Sequence, residues 1–268
     1  MNKKLTIITN VYNEEYIIRP WLEYHNQICK MGYVIDHCST DNSINIIKNI
    51  CPHWKIVKTK NVQNTNKNKS NFNAELNDNH IREIEKEIEG HKIMLNTTEW
   101  LLFNKPLYKI ELENINVLPI YIPIMYFNDT FNMNLRNFIE NLMTFVVNKK
   151  YSITRRGVGR YLHNVNDIQY TPGRHDSHLY KINDYKTSDD MIIVWCGFYP
   201  HTLDMYKRKL QISSNIPKED IKRTRGFQHV FSLEEHINDF IRYCHNLEEP
   251  DERYINSIKY TLNNFIYL

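Results

Sequence analysis

The chain has 268 residues, of which 41% are hydrophobic and 24% charged, with a formal net charge of +3 at pH 7. This length suits one α/β domain, and the modest, dispersed charge argues against a nucleic-acid-binding protein, which usually carries a stronger and clustered basic excess. No run of about 18 apolar residues occurs, so the sequence predicts no membrane-spanning helix.

The N-terminus and the cysteines indicate an intracellular protein. The first residues, MNKKLTIITNVYNEE, alternate as a strand does and precede no small-residue cleavage site, so we interpret them as a strand rather than a signal peptide. The five cysteines include no CxxC pair, which favours free thiols in a reducing compartment. We expect a cytoplasmic protein. The abundance of Asn, Ile, Lys and Tyr suggests an AT-rich genome such as that of a large DNA virus.

The first sixty residues alternate between strand and helix patterns. Asn13-Glu14-Glu15 places acidic residues where a first helix is expected to begin, and Gly32 is expected to end that helix. Ser39-Thr40-Asp41 is an N-cap signal for a second helix. Short apolar runs predict three strands, at residues 5–9, 33–35 and 54–57. This alternation with short links predicts a parallel sheet with helices on its faces.

The rest of the chain continues without an evident linker or repeat. Residues 61–73 are too polar to pack and predict a loop that could close over a bound ligand. The patterns then predict a helix ended by Gly90, a buried strand at 91–95, an extended edge segment at 117–127, a helix at 135–147, a loop-dominated region at 151–179, and two final helices at 232–246 and 251–265. We therefore expect one domain over 1–268, with a nucleotide-binding half at 1–105 and an acceptor half at 106–268.

Polar segments follow the first two predicted strands. In open parallel sheets ligands bind outside the carboxyl ends of the strands, and neither GxGxxG nor GxxxxGK[ST] is present to bind phosphate instead. The alternative is that these segments are only caps and turns. The candidate nucleotide-binding residues are Thr9, Asn10, Asn13, Glu14, Asp36 and Asp41.

The two segments together, NVYNEEYIIRPWLEYH and VIDHCSTDNS, resemble the opening of family 2-type glycosyltransferases of the GT-A fold over residues 5–50. Cys38 stands where that family usually has Gly. The resemblance implies an α/β, GT-A-like three-layer fold with a mostly parallel central sheet flanked by helices. It also implies transfer of a sugar from a nucleotide-diphosphate sugar, with a UDP-sugar favoured, to a glycan or other hydroxyl acceptor, with inversion. Asp36 would contact the nucleoside.

The resemblance further implies a divalent cation, Mn²⁺ or Mg²⁺, held by an Asp-x-Asp motif after a later strand. Here Asn96 and Thr98 stand at the two acidic positions, and Glu99 is the ionisable residue of the motif. His175, after a Pro-Gly turn, matches a late histidine ligand of related enzymes. We expect these four residues to hold the metal if one binds. The alternative is a surface turn with one glutamate.

Arginines and a carboxylate complete the predicted site. Arg155, Arg156 and Arg174 are candidates to neutralise the diphosphate leaving group, and they become the main electrophiles if the metal is missing. Asp176 is a candidate general base for the acceptor hydroxyl, and Glu99 is the competing candidate.

Aromatic and polar residues later in the chain suggest a carbohydrate acceptor groove, because sugar faces stack on rings. The alternative is that these aromatics are core and that Lys207-Arg208-Lys209 is a solvated helix face. The segments concerned are residues 195–201, 208–211 and 226–229. Two other functional classes stay open: a protein of this fold that binds a nucleotide or glycan without turnover, and a basic nucleic-acid-binding module.

Overall fold

The structure is a computed structural model that describes residues 5–29, 31–59, 74–121, 159–198, 201–213, 216, 221–222, 230–245 and 252–265. Its strands are β1 (Leu5–Val11), β2 (Met31–Asp36), β3 (Lys55–Lys58), β4 (His91–Asn96), β5 (Glu99–Phe103), β6 (Val117–Tyr121), β7 (Gly159–His163) and β8 (Met191–Trp195). Its helices are α1 (Ile18–Ile28), α2 (Ser43–Ile50), α3 (Ala74–Lys86), α4 (Leu203–Leu210), α5 (Leu233–His245) and α6 (Glu252–Phe265).

Within the described residues, six strands form a central sheet in the order β3-β2-β1-β4-β7-β6. The pairs β3–β2, β2–β1 and β1–β4 are parallel, whereas β7 is antiparallel to both of its neighbours. In this sheet β7 is thus the strand that runs against the others. The predicted α/β class with a mostly parallel sheet is confirmed.

The two faces of the sheet carry separate hydrophobic clusters because side chains alternate along each strand. Ile7 belongs to the cluster that contains Trp21 of α1 and Ile47 of α2. Ile8, the next residue, belongs to the cluster that contains Ile81 and Ile84 of α3. Helices therefore cover both faces, and the architecture has three layers as predicted.

A two-stranded antiparallel sheet of β5 and β8 lies on the side of the central sheet that carries Ile7. Trp100 of β5 and Ile193 of β8 belong to the same hydrophobic cluster as Ile7. The backbone of β5 is anchored to α1: Trp21 Nε1 donates to the Glu99 carbonyl at 2.8 Å, and the Tyr24 hydroxyl donates to the Leu101 carbonyl at 2.7 Å. These side chains are fully buried. The hydrogen bonds fix the start of β5, and with it Glu99, relative to the central sheet.

Several local predictions were wrong. Gly32 does not end α1 but lies within β2, where an added Cβ would come within 2.1 Å of the Trp54 ring. Glu14 and Glu15 do not lie in the first turn of α1, which contains no acidic residue. The N-cap of α2 is Asn42, without a side-chain cap hydrogen bond.

Other segments agree with the prediction or cannot be compared. The buried strand at β4, the edge strand β6 and the final helices α5 and α6 lie where the patterns placed them. The region predicted as loop at 151–179 contains β7. The predicted loop at 61–73, the helix at 135–147 and residues 122–127 lie outside the described residues. None of the helices in the described part of the chain has the length and hydropathy needed to span a membrane.

Candidate active site

The carboxyl ends of β1, β2 and β4 meet at one edge of the central sheet. In the parallel register Val11 pairs with Asp36, and Asn10 pairs with Asn96. Asn10, Asp36 and Asn96 therefore end three adjacent strands, at the edge where open parallel sheets bind ligands. The structure brings these predicted residues together. Thr9 also lies at the end of β1, but it is fully buried.

The loops that follow β1 and β2 are interlocked by hydrogen bonds. Asn13 Oδ1 accepts from the Thr40 N–H at 2.8 Å, and the Asn13 N–H donates to Ser39 Oγ at 3.2 Å. The Ser39 N–H in turn donates to Asp36 Oδ1 at 2.9 Å. One oxygen of Asp36 is thus held by its own loop, so the orientation of the carboxylate is fixed without any ligand.

Two residues in these loops have positive φ angles, 53° at Asn13 and 64° at Cys38. Non-glycine residues are uncommon in this region of φ, and Asn is among those that tolerate it. Cys38 occupies the position where the resembled family has Gly, which adopts this conformation without a steric penalty. Strained backbone of this kind clusters at binding sites.

Asp41 ties the β1 loop to the start of α2. Its Oδ2 accepts from the Glu15 N–H at 3.0 Å, and its Oδ1 accepts from the Ser43 N–H at 3.0 Å. The Glu15 carboxylate in turn accepts a hydrogen bond from the Asn42 N–H at 2.9 Å, which is a second link between the same two segments. Both oxygens of Asp41 are therefore used to hold the two loops, whereas we predicted a contact to nucleotide.

Glu14 forms a buried ion pair with Arg208 of α4. Arg208 Nη2 lies 2.9 Å from Glu14 Oε1, and Arg208 Nε donates to both carboxylate oxygens at 3.0 and 3.1 Å. The side chains are only 5% and 17% exposed. Burial raises the pKa of Glu14, and Arg208 opposes that rise. Since Gln211 Nε2 also donates to the Tyr12 carbonyl at 3.0 Å, α4 is fastened directly to the β1 loop.

Glu99 forms a second buried ion pair, with Arg160 of β7. Arg160 Nε donates to Glu99 Oε2 at 2.9 Å and Arg160 Nη2 to Oε1 at 2.7 Å. Both side chains are at most 3% exposed. Burial alone would raise the pKa of Glu99, but the Arg160 guanidinium outweighs burial and holds that pKa below its ordinary value. The Asn96 backbone N–H and side-chain amide also donate to this carboxylate.

His175 lies on the other side of the same guanidinium. Arg160 Nη1 is 3.2 Å from His175 Nδ1 and donates to the Gly173 carbonyl at 2.7 Å. Burial, reinforced by the adjacent Arg160, lowers the pKa of His175 to about 3. The imidazole is therefore neutral at physiological pH. The two predicted metal ligands Glu99 and His175 do come together, with Arg160 between them.

Arg174 is also paired. Its guanidinium binds Asp78 of α3 through Nη1 and reaches Asn96 Oδ1 through Nη2 at 3.3 Å. Asp78 further accepts from the Gly173 N–H at 3.2 Å. Arg174 itself has a φ of 64°. The structure places Arg174 at the end of β4, where we predicted a diphosphate contact, but a buried carboxylate already balances its charge.

Asp176 accepts the hydrogen bonds that hold the segment 176–182 in place. Its Oδ1 accepts from the Tyr161 hydroxyl at 2.9 Å and from the backbone N–H groups of Ser177 and Ile182 at 2.8 and 3.0 Å. Burial acts to raise the pKa of Asp176, but these donors outweigh it and lower the pKa. The carboxylate is ionised at neutral pH, as a general base must be, and all three contacts engage the same oxygen.

The predicted metal donors do not fit a divalent cation. Glu99 has guanidinium donors on both oxygens, and Asn96 Oδ1 faces Arg174. Thr98 is buried and uncharged, whereas Mg²⁺ and Mn²⁺ favour carboxylate and other exposed oxygens. Within the described residues, no group of three or more His, Cys, Asp or Glu side chains is arranged to hold a metal ion.

The predicted acceptor side is mostly packed together. Phe198 is buried in a cluster with Met205 and Phe240, and His201 stacks on Phe240 with the ring centroids 4.1 Å apart. Lys209 Nζ lies 3.8 Å from the centroid of the Phe198 ring. Burial, followed by the charge of the adjacent Arg208, lowers the pKa of Lys209 to about 7. Phe198 is therefore a core residue, and Arg208 and Lys209 point inward from α4.

Some predicted residues cannot be placed. Arg155, Arg156 and residues 226–229 lie outside the described residues. Conversely, Arg160 was not among the predicted site residues. Its signal in the sequence is an arginine within the otherwise apolar-patterned strand GRYLH, because a charge in a buried strand requires a partner.

No protein-family model and no curated protein sequence matches the chain. Among solved structures, it is similar to glucosyl-3-phosphoglycerate synthase from Mycobacterium tuberculosis. The complex with Mn²⁺, UDP and glucosyl-3-phosphoglycerate matches with 12% identity and a TM-score of 0.33 over 65% of this chain and 62% of that one. The complex with phosphoglyceric acid has 12% identity and a TM-score of 0.34 over the same shares. The chain thus spans about six tenths of that enzyme's length, and neither value assigns an activity.

Proposed function

We propose that this chain is a glycosyltransferase that binds a nucleotide-diphosphate sugar, with a UDP-sugar favoured, at the carboxyl edge of the central sheet. The sugar passes to a hydroxyl of a glycan or another acceptor, and the nucleoside diphosphate leaves. The donor site consists of the ends of β1, β2 and β4 and the two interlocked loops. The resemblance of residues 5–50 to family 2-type glycosyltransferases supports the reaction class.

The observation that carries this proposal is the preorganised carboxylate of Asp36. It ends β2 beside Val11 of β1 and is held by the Ser39 N–H at 2.9 Å. A carboxylate fixed in this way at the switch from strand to loop is suited to accept hydrogen bonds from a base N–H or a ribose hydroxyl. Asn10 of the adjacent strand β1 lies at the same edge, whereas the side-chain amide of Asn96 on β4 is already engaged by Glu99 and Arg174.

Asp176 is the better of the two predicted general bases. Both oxygens of Glu99 are bound by Arg160, whereas the three hydrogen bonds to Asp176 all go to Oδ1. We propose that Oδ2 of Asp176 accepts the proton of the acceptor hydroxyl while the oxygen of that hydroxyl attacks the anomeric carbon. The bond between the anomeric carbon and the phosphate oxygen breaks, which inverts the anomeric centre and releases the nucleoside diphosphate.

The test of donor binding is calorimetric titration with UDP, GDP, CDP and TDP. We expect one nucleoside diphosphate to bind, and Asp36→Asn to weaken it about 10- to 100-fold, because a hydrogen bond to a charged group is lost while the Asn oxygen still accepts from Ser39. Asp184→Asn, at an exposed aspartate, is the matched control and should leave affinity unchanged. Equal affinity in the two variants would reject the placement of the nucleotide.

Turnover distinguishes the enzyme from a second candidate, a protein that binds a nucleotide or glycan without transfer. The replacement of the two motif acids by Asn96 and Thr98 favours this candidate. For the enzyme we expect the bound nucleotide sugar to release its nucleoside diphosphate, more rapidly when acceptor hydroxyls are supplied. Nucleotide binding with no release of diphosphate from any sugar donor would favour the binding protein.

A further inference from the structure

Two of the predicted metal ligands, Glu99 and His175, both contact the side chain of Arg160. Glu99 Oε1 and Oε2 lie 2.7 and 2.9 Å from Arg160 Nη2 and Nε, and His175 Nδ1 lies 3.2 Å from Arg160 Nη1. A single guanidinium thus bridges the acid and the histidine that were expected to share a divalent ion. Arg160 and Glu99 are at most 3% exposed, so water does not compete for these contacts.

Two groups lie near His175 Nδ1, the Arg160 guanidinium at 3.2 Å and the Gly159 carbonyl at 3.4 Å. A guanidinium only donates hydrogen bonds and a carbonyl only accepts them, so the two contacts require different tautomers of the imidazole. The shorter contact is the one to the charged donor, and charge-assisted hydrogen bonds are the stronger ones. In the tautomer that satisfies it, Nδ1 accepts from Arg160 and Nε2 carries the hydrogen, so neither ring nitrogen presents a free lone pair to a cation.

We propose that Arg160 is a resident cation in the place of the divalent ion, and that this chain therefore binds a nucleoside diphosphate without a metal. Arg160 acts as a positioning residue: it fixes the Glu99 carboxylate and the tautomer of His175. The inference rests on the proposed donor site and specifies its cofactor requirement.

The inference predicts that removing the guanidinium creates a metal site. In Arg160→Met the aliphatic volume stays, but the buried Glu99 carboxylate loses its cation and His175 Nδ1 loses its donor. We expect the melting temperature to fall by roughly 6–20 °C and Mn²⁺ to restore part of that loss, with EDTA reversing the recovery. The wild-type protein should show no Mn²⁺-dependent shift.

Arg82→Met is the matched control. Arg82 binds Asp167 with the same bidentate geometry, at 2.8 and 2.7 Å, but that pair is 26% and 28% exposed. Among the described residues, no histidine is a hydrogen-bond partner of Arg82. Its removal also frees a carboxylate, and we expect no Mn²⁺-dependent rise in melting temperature. A rise in Arg160→Met alone supports the inference. An equal response in both variants, or none in Arg160→Met, overturns it.

The wild-type protein gives an independent test should Arg160→Met fail to fold. Affinity for the nucleoside diphosphate is measured calorimetrically in EDTA and in excess Mn²⁺. Affinities that agree within about twofold support the inference, and binding at least tenfold tighter with Mn²⁺ overturns it.

If no nucleoside diphosphate binds under either condition, the proposed donor site fails, while Mn²⁺ titration of Arg160→Lys still decides the inference. Because the lysine retains a cation between Glu99 and His175, this variant should bind no Mn²⁺, and Mn²⁺ binding by it would overturn the inference.

Discussion

Replacing Arg208 with Met should destabilise the fold strongly, because it leaves the Glu14 carboxylate buried without its cation. The pair is 5% and 17% exposed and is joined by contacts of 2.9 to 3.1 Å. Removal of one partner from a buried ion pair costs about 3–5 kcal/mol. Each kcal/mol lowers the melting temperature of a chain of this size by roughly 2–4 °C. We therefore expect a fall of roughly 6–20 °C by calorimetry.

Lys207→Met is the internal control, since Lys207 is the neighbouring residue on α4. It pairs with Asp204 at 2.9 Å, but these side chains are 66% and 64% exposed. Exposed pairs contribute about 0–1 kcal/mol, so the control should lose less than about 4 °C. The comparison separates burial of an ion pair from the mere loss of a positive charge on this helix.

The loss in Arg208→Met should depend on pH in a defined direction. Burial already raises the pKa of Glu14, and Arg208 is the largest influence that opposes the rise, so removal of Arg208 should raise that pKa further. A folded-state pKa above the unfolded value means that protonation stabilises the variant at low pH and that this contribution disappears as pH rises. The deficit should therefore be largest near pH 7 and narrow towards pH 4. A deficit equal to that of Lys207→Met, or one that does not narrow on acidification, would refute the reasoning.

Three further expectations follow from buried residues of the core. Leu102→Ala, at a fully buried position of β5, should cost about 2–5 kcal/mol in chemical denaturation; a cost below about 1 kcal/mol would contradict its place in the core. Gly32→Ala should cost about 1–3 kcal/mol, because the new Cβ meets the Trp54 ring at 2.1 Å, and an unchanged denaturation midpoint would count against this packing. Burial lowers the pKa of His25 to about 3, so its NMR titration should show a neutral ring at pH 5. Since an unfolded histidine has a pKa of about 6.5, stability should fall as pH decreases from about 6.5 towards 3; a folded-state midpoint near 6.5 would contradict the burial.

Local patterns were sufficient to place the strands in the half of the fold where β1, β2 and β3 are each followed in the chain by a helix. The strands β1, β2 and β4 are short apolar runs with clear ends, and their parallel pairing follows from the connections between them. The meeting of Asn10 and Asp36 at one edge was therefore predictable, because parallel strands place their carboxyl ends together.

The ion pairs were not predictable because their partners are far apart in the chain. Glu14 and Arg208 are 194 positions apart, and Glu99 and Arg160 are 61 apart. Nothing in a local pattern says which of three consecutive basic residues on α4 turns inward; the structure exposes Lys207 and buries Arg208 in the pair. Gly32 likewise resembles a helix terminator in sequence, and only the Trp54 ring against it explains a glycine within β2.

The most direct test of the donor site is a titration of the ¹⁵N-labelled protein with the nucleoside diphosphate that binds in calorimetry, followed by backbone amide chemical shifts. The account predicts that the largest changes fall in residues 10–14 and 36–41, the two interlocked loops, with the amides of α2 beyond residue 46 little affected. Shifts confined to other parts of the chain, or saturation of binding without any change in these loops, would contradict it.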